Sequence, residues 1–280
     1  MPTTARGKRR LWFETTGKDS APPLLLIMGM GFSSRAWGSL PQRLAEHYRV
    51  ITFDNRGTGR SKGTGIGFRV KDMADDAVAV LDAAGAERAF VFGISMGGMA
   101  ALELALLHPR RVRALVLGAT FASWLKSRKP SVQVMSELVA GGALSRVGAH
   151  GLLGHALVSL EHLRTDFDAF SKWIVDGERV SPRVLLQQMT AVTLHDSMKR
   201  LPELRMPTLV LTGDRDRLIP AVNSRRLAEA IPGARLVFLA GAGHCFPLER
   251  FEETCRELQH FFSEVAAAEE RKEEAATRLR

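Results

Sequence analysis

The stretch Phe90–Glu103, FVFGISMGGMAALE, ends one apolar run at Gly93, places Ser95 next, and starts another apolar run after two more glycines. A serine hydroxyl becomes a nucleophile only when a base removes its proton, and that base needs an acid to hold its tautomer and balance its charge. Glycine two residues to either side of Ser95 removes the side chains that a sharp strand-to-helix turn would crowd, so the turn can lift Oγ clear of the strand end. The chemistry this pattern offers is attack on a carbonyl. Gly-x-Ser-x-Gly also arises by chance, so its partners have to be found elsewhere in the chain.

On this type of turn the partners follow in the order Ser, Asp or Glu, His. Two histidines stand late enough, His244 and His260. His244 lies in LAGAGHCFPLE, directly after a strand pattern, on a glycine-rich loop that can carry an imidazole over a sheet edge. His260 lies in LQHFF among apolar helical neighbours and reads as a packing or surface residue, so His244 is the expected base. For the acid, PTLVLTGDRDRLIP offers Asp214 and Asp216. Asp214 adjoins Gly213 and suits a turn that needs its backbone amides satisfied. Asp216 sits farther into the loop, where its carboxylate can reach the imidazole Nδ1, and is the preferred partner. The segment LGATFASW, where some related enzymes place the acid, has no carboxylate. An oxyanion needs two N–H donors. Met96, first in the helix after the serine, supplies one; Met30, in LLLIMGMGFSS between two glycines, supplies the other.

These residues need a scaffold that brings distant loops to one edge. Short apolar runs at Leu11–Thr15, Leu24–Met28, Arg49–Phe53, Ala89–Phe92, Ala114–Leu117, Thr208–Thr212 and Arg235–Leu239 read as strands. Amphipathic segments at Trp37–His47, Val70–Ala84, Met96–Leu107, Ala221–Ala230 and Pro247–Val265 read as helices. Strands alternating with helices predict an α/β fold, a mostly parallel sheet with helices on both faces. The rhythm breaks between Phe121 and Arg205, where helical patterns dominate; one of them, Ser181–Asp196, starts with a serine N-cap and a proline at the first helical position. The chain therefore divides into a core at 1–120 and 206–265, a helical insertion at 121–205, and a charged, alanine-rich tail at 266–280 that either prolongs the last helix or frays.

The chain has 280 residues, 45% hydrophobic and 25% charged, which suits a globular protein with a large core. Its formal charge of +9 is scattered, with no zinc-binding spacing or RNA-binding aromatic motif beside it, so no nucleic-acid partner is expected. Cys245 and Cys255 are too few for a disulfide framework or a structural metal site. With no signal-peptide pattern at its start and no apolar run long enough to cross a bilayer, the expectation is a cytoplasmic protein without membrane contact, a monomer or homodimer.

With IMGMG, FDNRGTGRS, GISMGGMAALELALLHPRRVRALVL, PTLVLTGDRDRLIP and GAGHCFPLE in place, the chain resembles the α/β-hydrolase superfamily, in the branch of small esterases, lactonases and enol-lactone or carbon–carbon bond hydrolases. The resemblance covers about Leu11 to Val265. It implies an eight-stranded, mostly parallel sheet with a helical cap inserted after strand six. It further implies Ser95, Asp216 and His244 as catalytic triad, the Met30 and Met96 amides as oxyanion hole, and no metal or organic cofactor. Asp54 and Arg56 of FDNRGTGRS are expected to shape a loop. One departure is Met28-Gly29, where many members carry His-Gly, which alters the polarity of the pocket. The expected activity is hydrolysis of a carboxylic ester or lactone of a small organic substrate by way of an acyl-enzyme. Carbon–carbon bond hydrolysis, cofactor-free perhydrolysis and a small-molecule receptor with little turnover stand as alternatives. Epoxide hydrolases and haloalkane dehalogenases of this fold use an aspartate nucleophile, which Ser95 disfavours.

Overall fold

The apolar runs form strands because a strand buried on both faces has no need to alternate; all six residues of Ala89–Ile94 and all six of Thr208–Gly213 are buried. In the computed structural model, which describes residues 3–6, 9–63, 67–144, 148–177 and 180–278, the strands are β1 (Thr3–Arg6), β2 (Arg9–Thr16), β3 (Pro23–Ile27), β4 (Arg49–Phe53), β5 (Ala89–Ile94), β6 (Val112–Gly118), β7 (Thr208–Gly213) and β8 (Arg235–Leu239). Seven of them, β2 to β8, make the mostly parallel body of the sheet, and β1 adds to its edge as an antiparallel partner of β2. The order is β1-β2-β4-β3-β5-β6-β7-β8, eight strands in all. Seven of the eight coincide with apolar runs of the sequence. The eighth, Thr3–Arg6, is polar and carries no such signal.

Helices α1 (Leu40–Leu44), α2 (Val70–Ala83) and α3 (Met96–Leu107) follow β3, β4 and β5. Five more, α4 (Val132–Leu144), α5 (Gly151–Leu157), α6 (Leu160–Thr165), α7 (Phe167–Asp176) and α8 (Pro182–Thr193), lie between β6 and β7. The chain closes with α9 (Val222–Ala230), α10 (Phe246–Glu249) and α11 (Phe251–Arg278). One sheet face packs on α2, α3 and α9 through Met73, Ala77, Leu81, Leu104 and Leu227. The other packs on α1 and α11 through Leu40, Leu44, Leu258 and Phe262.

Two expected helices are broken. Trp37–His47 is interrupted at Gly38, whose φ of 56° leaves the helical region, so a short 3-10 turn precedes α1. Pro247–Val265 is divided at Arg250 (φ −129°, ψ 56°), which separates α10 from α11. The tail prolongs α11 to Arg278, and the Glu269 carboxylate ties it to the core through Arg88 (2.8 Å) and Arg113 (2.6 Å). The helical insertion leaves and rejoins the core at one point: Ser123 and Asp196 form an antiparallel bridge, and the Ser197 N–H donates to the Ala122 carbonyl at 2.7 Å. Within it, α8 begins as its sequence predicts, the Ser181 hydroxyl accepting from the Val184 N–H.

Candidate active site

Parallel strands put their carboxyl ends on one edge of the sheet, and the loops that leave those ends build the site. β5 stops at Ile94, and Ser95 turns the chain into α3 with φ 57° and ψ −122°. A non-glycine residue held there stores on the order of 1–3 kcal/mol of backbone strain, which persists only if its surroundings impose it. They do. The Ser95 N–H donates to the Gly118 carbonyl at 2.8 Å, and the Thr120 hydroxyl donates to the Ser95 carbonyl at 2.7 Å. A Cβ on Gly97 would stand 2.0 Å from the Ile27 carbonyl oxygen, and one on Gly93 would stand 2.2 Å from that of Gly97, so β3, β5 and α3 meet backbone to backbone. The Ser95 side chain is half-buried and makes no capping bond to α3, which leaves Oγ free of that duty.

β7 and β8 supply the ionisable pair. Asp216 Oδ2 lies 2.8 Å from His244 Nδ1, while Asp216 Oδ1 accepts from the N–H groups of Leu218 (2.9 Å) and Ile219 (2.7 Å). Both residues are buried. The carboxylate is thus fixed at one oxygen by backbone and presents the other to the imidazole, an arrangement that orients the ring and leaves Nε2 for another partner. The two loops touch at Gly213, where a Cβ would stand 2.2 Å from the Ala242 carbonyl and 2.3 Å from that of Gly243. Asp214 is occupied otherwise, accepting from the Gly241 N–H at 2.7 Å. His260 is exposed on α11, 3.3 Å from Glu264.

The loop after β3 lies against the serine: a Cβ on Gly29 would be 3.2 Å from Ser95 Cβ and 3.8 Å from its Oγ. Met30 follows Gly29 directly. Met96 opens α3, where first-turn N–H groups have no partner inside the helix and the helix dipole favours negative charge. Hydrogen bonds on both sides brace the Met30 loop. The Met28 carbonyl accepts from Asn55 Nδ2 (2.8 Å), the Gly31 N–H donates to Gln188 Oε1 on α8 (2.9 Å), and the Gly31 carbonyl accepts from Val180 (3.1 Å). Gln188 is fully buried, and its Nε2 has no hydrogen-bond partner among the described residues.

Sequence reasoning found Asp54 and Arg56 as loop-shaping residues and missed Asn55 and Gln188. Burial pushes the Asp54 carboxyl up, but hydrogen bonds from Arg60 and Ser34 outweigh it and hold the group below its ordinary range. Arg56 is buried and paired with Asp76 at 2.6 Å. Gln188 carries no local signal, because only the return of α8 over the sheet edge brings it to Gly31.

Among the described residues, no group of three or more His, Cys, Asp or Glu side chains is arranged to hold a metal ion, and no helix is long and apolar enough to cross a membrane. Surface concavities of about 720 and 430 Å3 lie against α11 and are lined by none of the site residues.

A family model described as alpha/beta hydrolase fold matches residues 22–251. The protein named "Putative carbamate hydrolase RutD" of Azorhizobium caulinodans is 32% identical over 261 residues, covering 88% of this chain and 92% of that one. Among solved structures, a thermophilic esterase from Thermogutta terrifontis superposes with a TM-score of 0.77 at 26% identity, over 95% of this chain and 97% of the other. The enol-lactonase from Burkholderia xenovorans LB400 superposes with a TM-score of 0.82 over 94% of this chain and all of that one; at 24% identity the likeness is one of fold.

Proposed function

We propose, from the premise that the chain belongs to the alpha/beta-hydrolase family, that it is a serine hydrolase cleaving a carboxylic ester or lactone of a small organic substrate. Ser95 Oγ attacks the carbonyl carbon while His244 Nε2 takes its proton, and Asp216 stabilises the imidazolium through the Nδ1 hydrogen bond. The Met30 and Met96 N–H groups receive the negative charge that develops on the carbonyl oxygen. His244 returns the proton to the leaving alkoxide, then activates a water molecule that releases the acid from the acyl-enzyme. The observations that carry this reading are a strained, positive-φ serine at the end of one strand and a buried imidazole held at 2.8 Å by a carboxylate on loops after two others, all at the carboxyl edge of one mostly parallel sheet.

The likeness to RutD relatives favours a second reading of the substrate, a carbamate. Its acyl carbon is attacked by the same route, but donation from nitrogen makes it less electrophilic, so turnover would lean harder on the oxyanion donors. A fluorophosphonate probe together with a panel of p-nitrophenyl esters, lactones and carbamates tests both. Wild-type protein is expected to label at Ser95 and to turn over one of these classes. Ser95→Ala is expected to lose labelling and about 10⁴–10⁶ in kcat, the residue of activity resting on binding and the oxyanion hole. Folded wild-type protein that neither labels nor hydrolyses any of the panel would point to a receptor instead.

A further inference from the structure

The residues on either side of His244 are both tied to the helical insertion, Cys245 directly and Gly243 by way of Glu249 on α10. The Gly243 N–H donates to Glu249 Oε1 at 2.8 Å, and the Ser159 N–H, at the start of α6, donates to Glu249 Oε2 at 2.9 Å. On the other side, the Cys245 N–H donates to the Leu157 carbonyl at 2.8 Å. Gly243 and Ser159 are also in close backbone contact, since a Cβ on Gly243 would stand 2.7 Å from the Ser159 nitrogen. Glu249 is buried and spends each of its carboxylate oxygens on one of these amides.

From this we propose that Glu249 is a positioning residue: its carboxylate clamps the loop that carries His244 to the segment Leu157–Ser159 of the insertion, so that the insertion sets where the imidazole stands. A buried carboxylate that accepts two N–H groups is a strong fixed link, each charge-assisted bond being about twice as strong as a neutral one. A base placed 1 Å out of line loses rate although substrate still binds. The inference rests on the reading of His244 as the base.

Glu249→Gln tests it. The amide keeps one acceptor oxygen and turns its NH2 donor toward the other N–H, so one link is lost whichever way it faces. The expected result is a 10- to 100-fold fall in kcat with KM within about twofold. The rate of fluorophosphonate labelling per titrated serine should fall by the same factor, because that attack uses the same base, while labelling still reaches one site per chain. A purely structural role would lower the fraction of chains that label and leave the rate per labelled site at the wild-type value, and that result overturns the proposal. Should the variant fail to fold, hydrogen exchange on the wild-type chain decides: the Gly243 and Ser159 amides are expected to be protected to a similar degree, and free exchange at either overturns the clamp. Failure of wild-type protein to label at all would instead remove the assignment of Ser95 and His244, which keeps the two outcomes apart.

Discussion

The serine turn and the histidine loop are held by different means. Around Ser95 the restraints are steric and internal to the sheet: Gly93 and Gly97 let β3, β5 and α3 meet at backbone contact, and Gly118 and Thr120 bond the serine's own peptide groups. Around Asp216 and His244 the loops also meet at Gly213 and Gly243, but polar restraints are added from outside the sheet, through Glu249, Leu157, Ser159 and the pairing of Arg217 with the His155 carbonyl (2.8 Å) and Glu137 (3.3 Å). A serine fixed by close packing tolerates almost no change of shape. An imidazole whose loop is fixed by hydrogen bonds to a separate helical layer moves when that layer moves.

The sharpest way to break this contrast is Gly97→Ala. A methyl group 2.0 Å from the Ile27 carbonyl has no space, so the turn must shift. The expected outcome is a destabilisation of about 1–3 kcal/mol, in the range of overpacked cores, with activity down by roughly 100-fold or more as Ser95 leaves its position. Thermal melting and fluorophosphonate labelling measure the two losses; an active, fully stable variant would mean that the turn is softer than its contacts indicate.

A second effect probes the polar joint on the serine side. His195, in the segment that returns from the insertion, is buried 3.6 Å from Glu103 of α3 and 3.3 Å from the Ser197 hydroxyl. Burial, and after it the charge of Arg200, hold its pKa down at about 4, with Asp196 opposing. Glu103 lies near enough to favour the charged ring, but it is already paired with Arg200. The folded pKa lies below the ordinary histidine value of 6.5, so the unfolded chain binds the extra proton first. The neutral ring's contribution to stability is therefore present above pH 6.5 and is lost progressively as pH falls toward 4. Between pH 7 and pH 5 this amounts to a loss on the order of 2 kcal/mol. Melting curves of His195→Gln against wild type should show a flatter dependence over that window; parallel curves would refute the assignment.

Arg217→Ala should be the mildest. It loosens the acid loop from the insertion without touching Asp216 or its backbone bonds, and a 3- to 10-fold drop in kcat with little change in KM is expected, worth about 1 kcal/mol. If kcat stays at the wild-type value, the acid loop is held by the sheet alone, and the contrast narrows to His244.

What the sequence revealed follows the same division. The strands β2 to β8 and the meeting of Asp216, rather than Asp214, with His244 were legible, because apolar runs, glycine turns and the order of residues along the chain are local or ordinal signals. The strand Thr3–Arg6 was not legible, since pairing with β2 rather than apolar content makes it a strand. Nor were the breaks at Gly38 and Arg250, which single backbone conformations impose on otherwise helical patterns. Gln188 and Glu249 were invisible for a further reason. The partner of Gln188 lies 157 residues away, and of the two amides on Glu249 one is 6 and the other 90 residues away; a polar side chain on a helix gives no sign of which distant amide it will meet.

The bridge between Ser123 and Asp196 gives the helical layer adjoining termini, the geometry of a cassette that can be exchanged by recombination with little cost in loop closure. Glu249 limits that freedom. A foreign cassette grafted at this point would bring its own pocket, yet it would support full turnover only if it also offered an amide where Ser159 now stands, so that substrate range and turnover in this scaffold have to be engineered together.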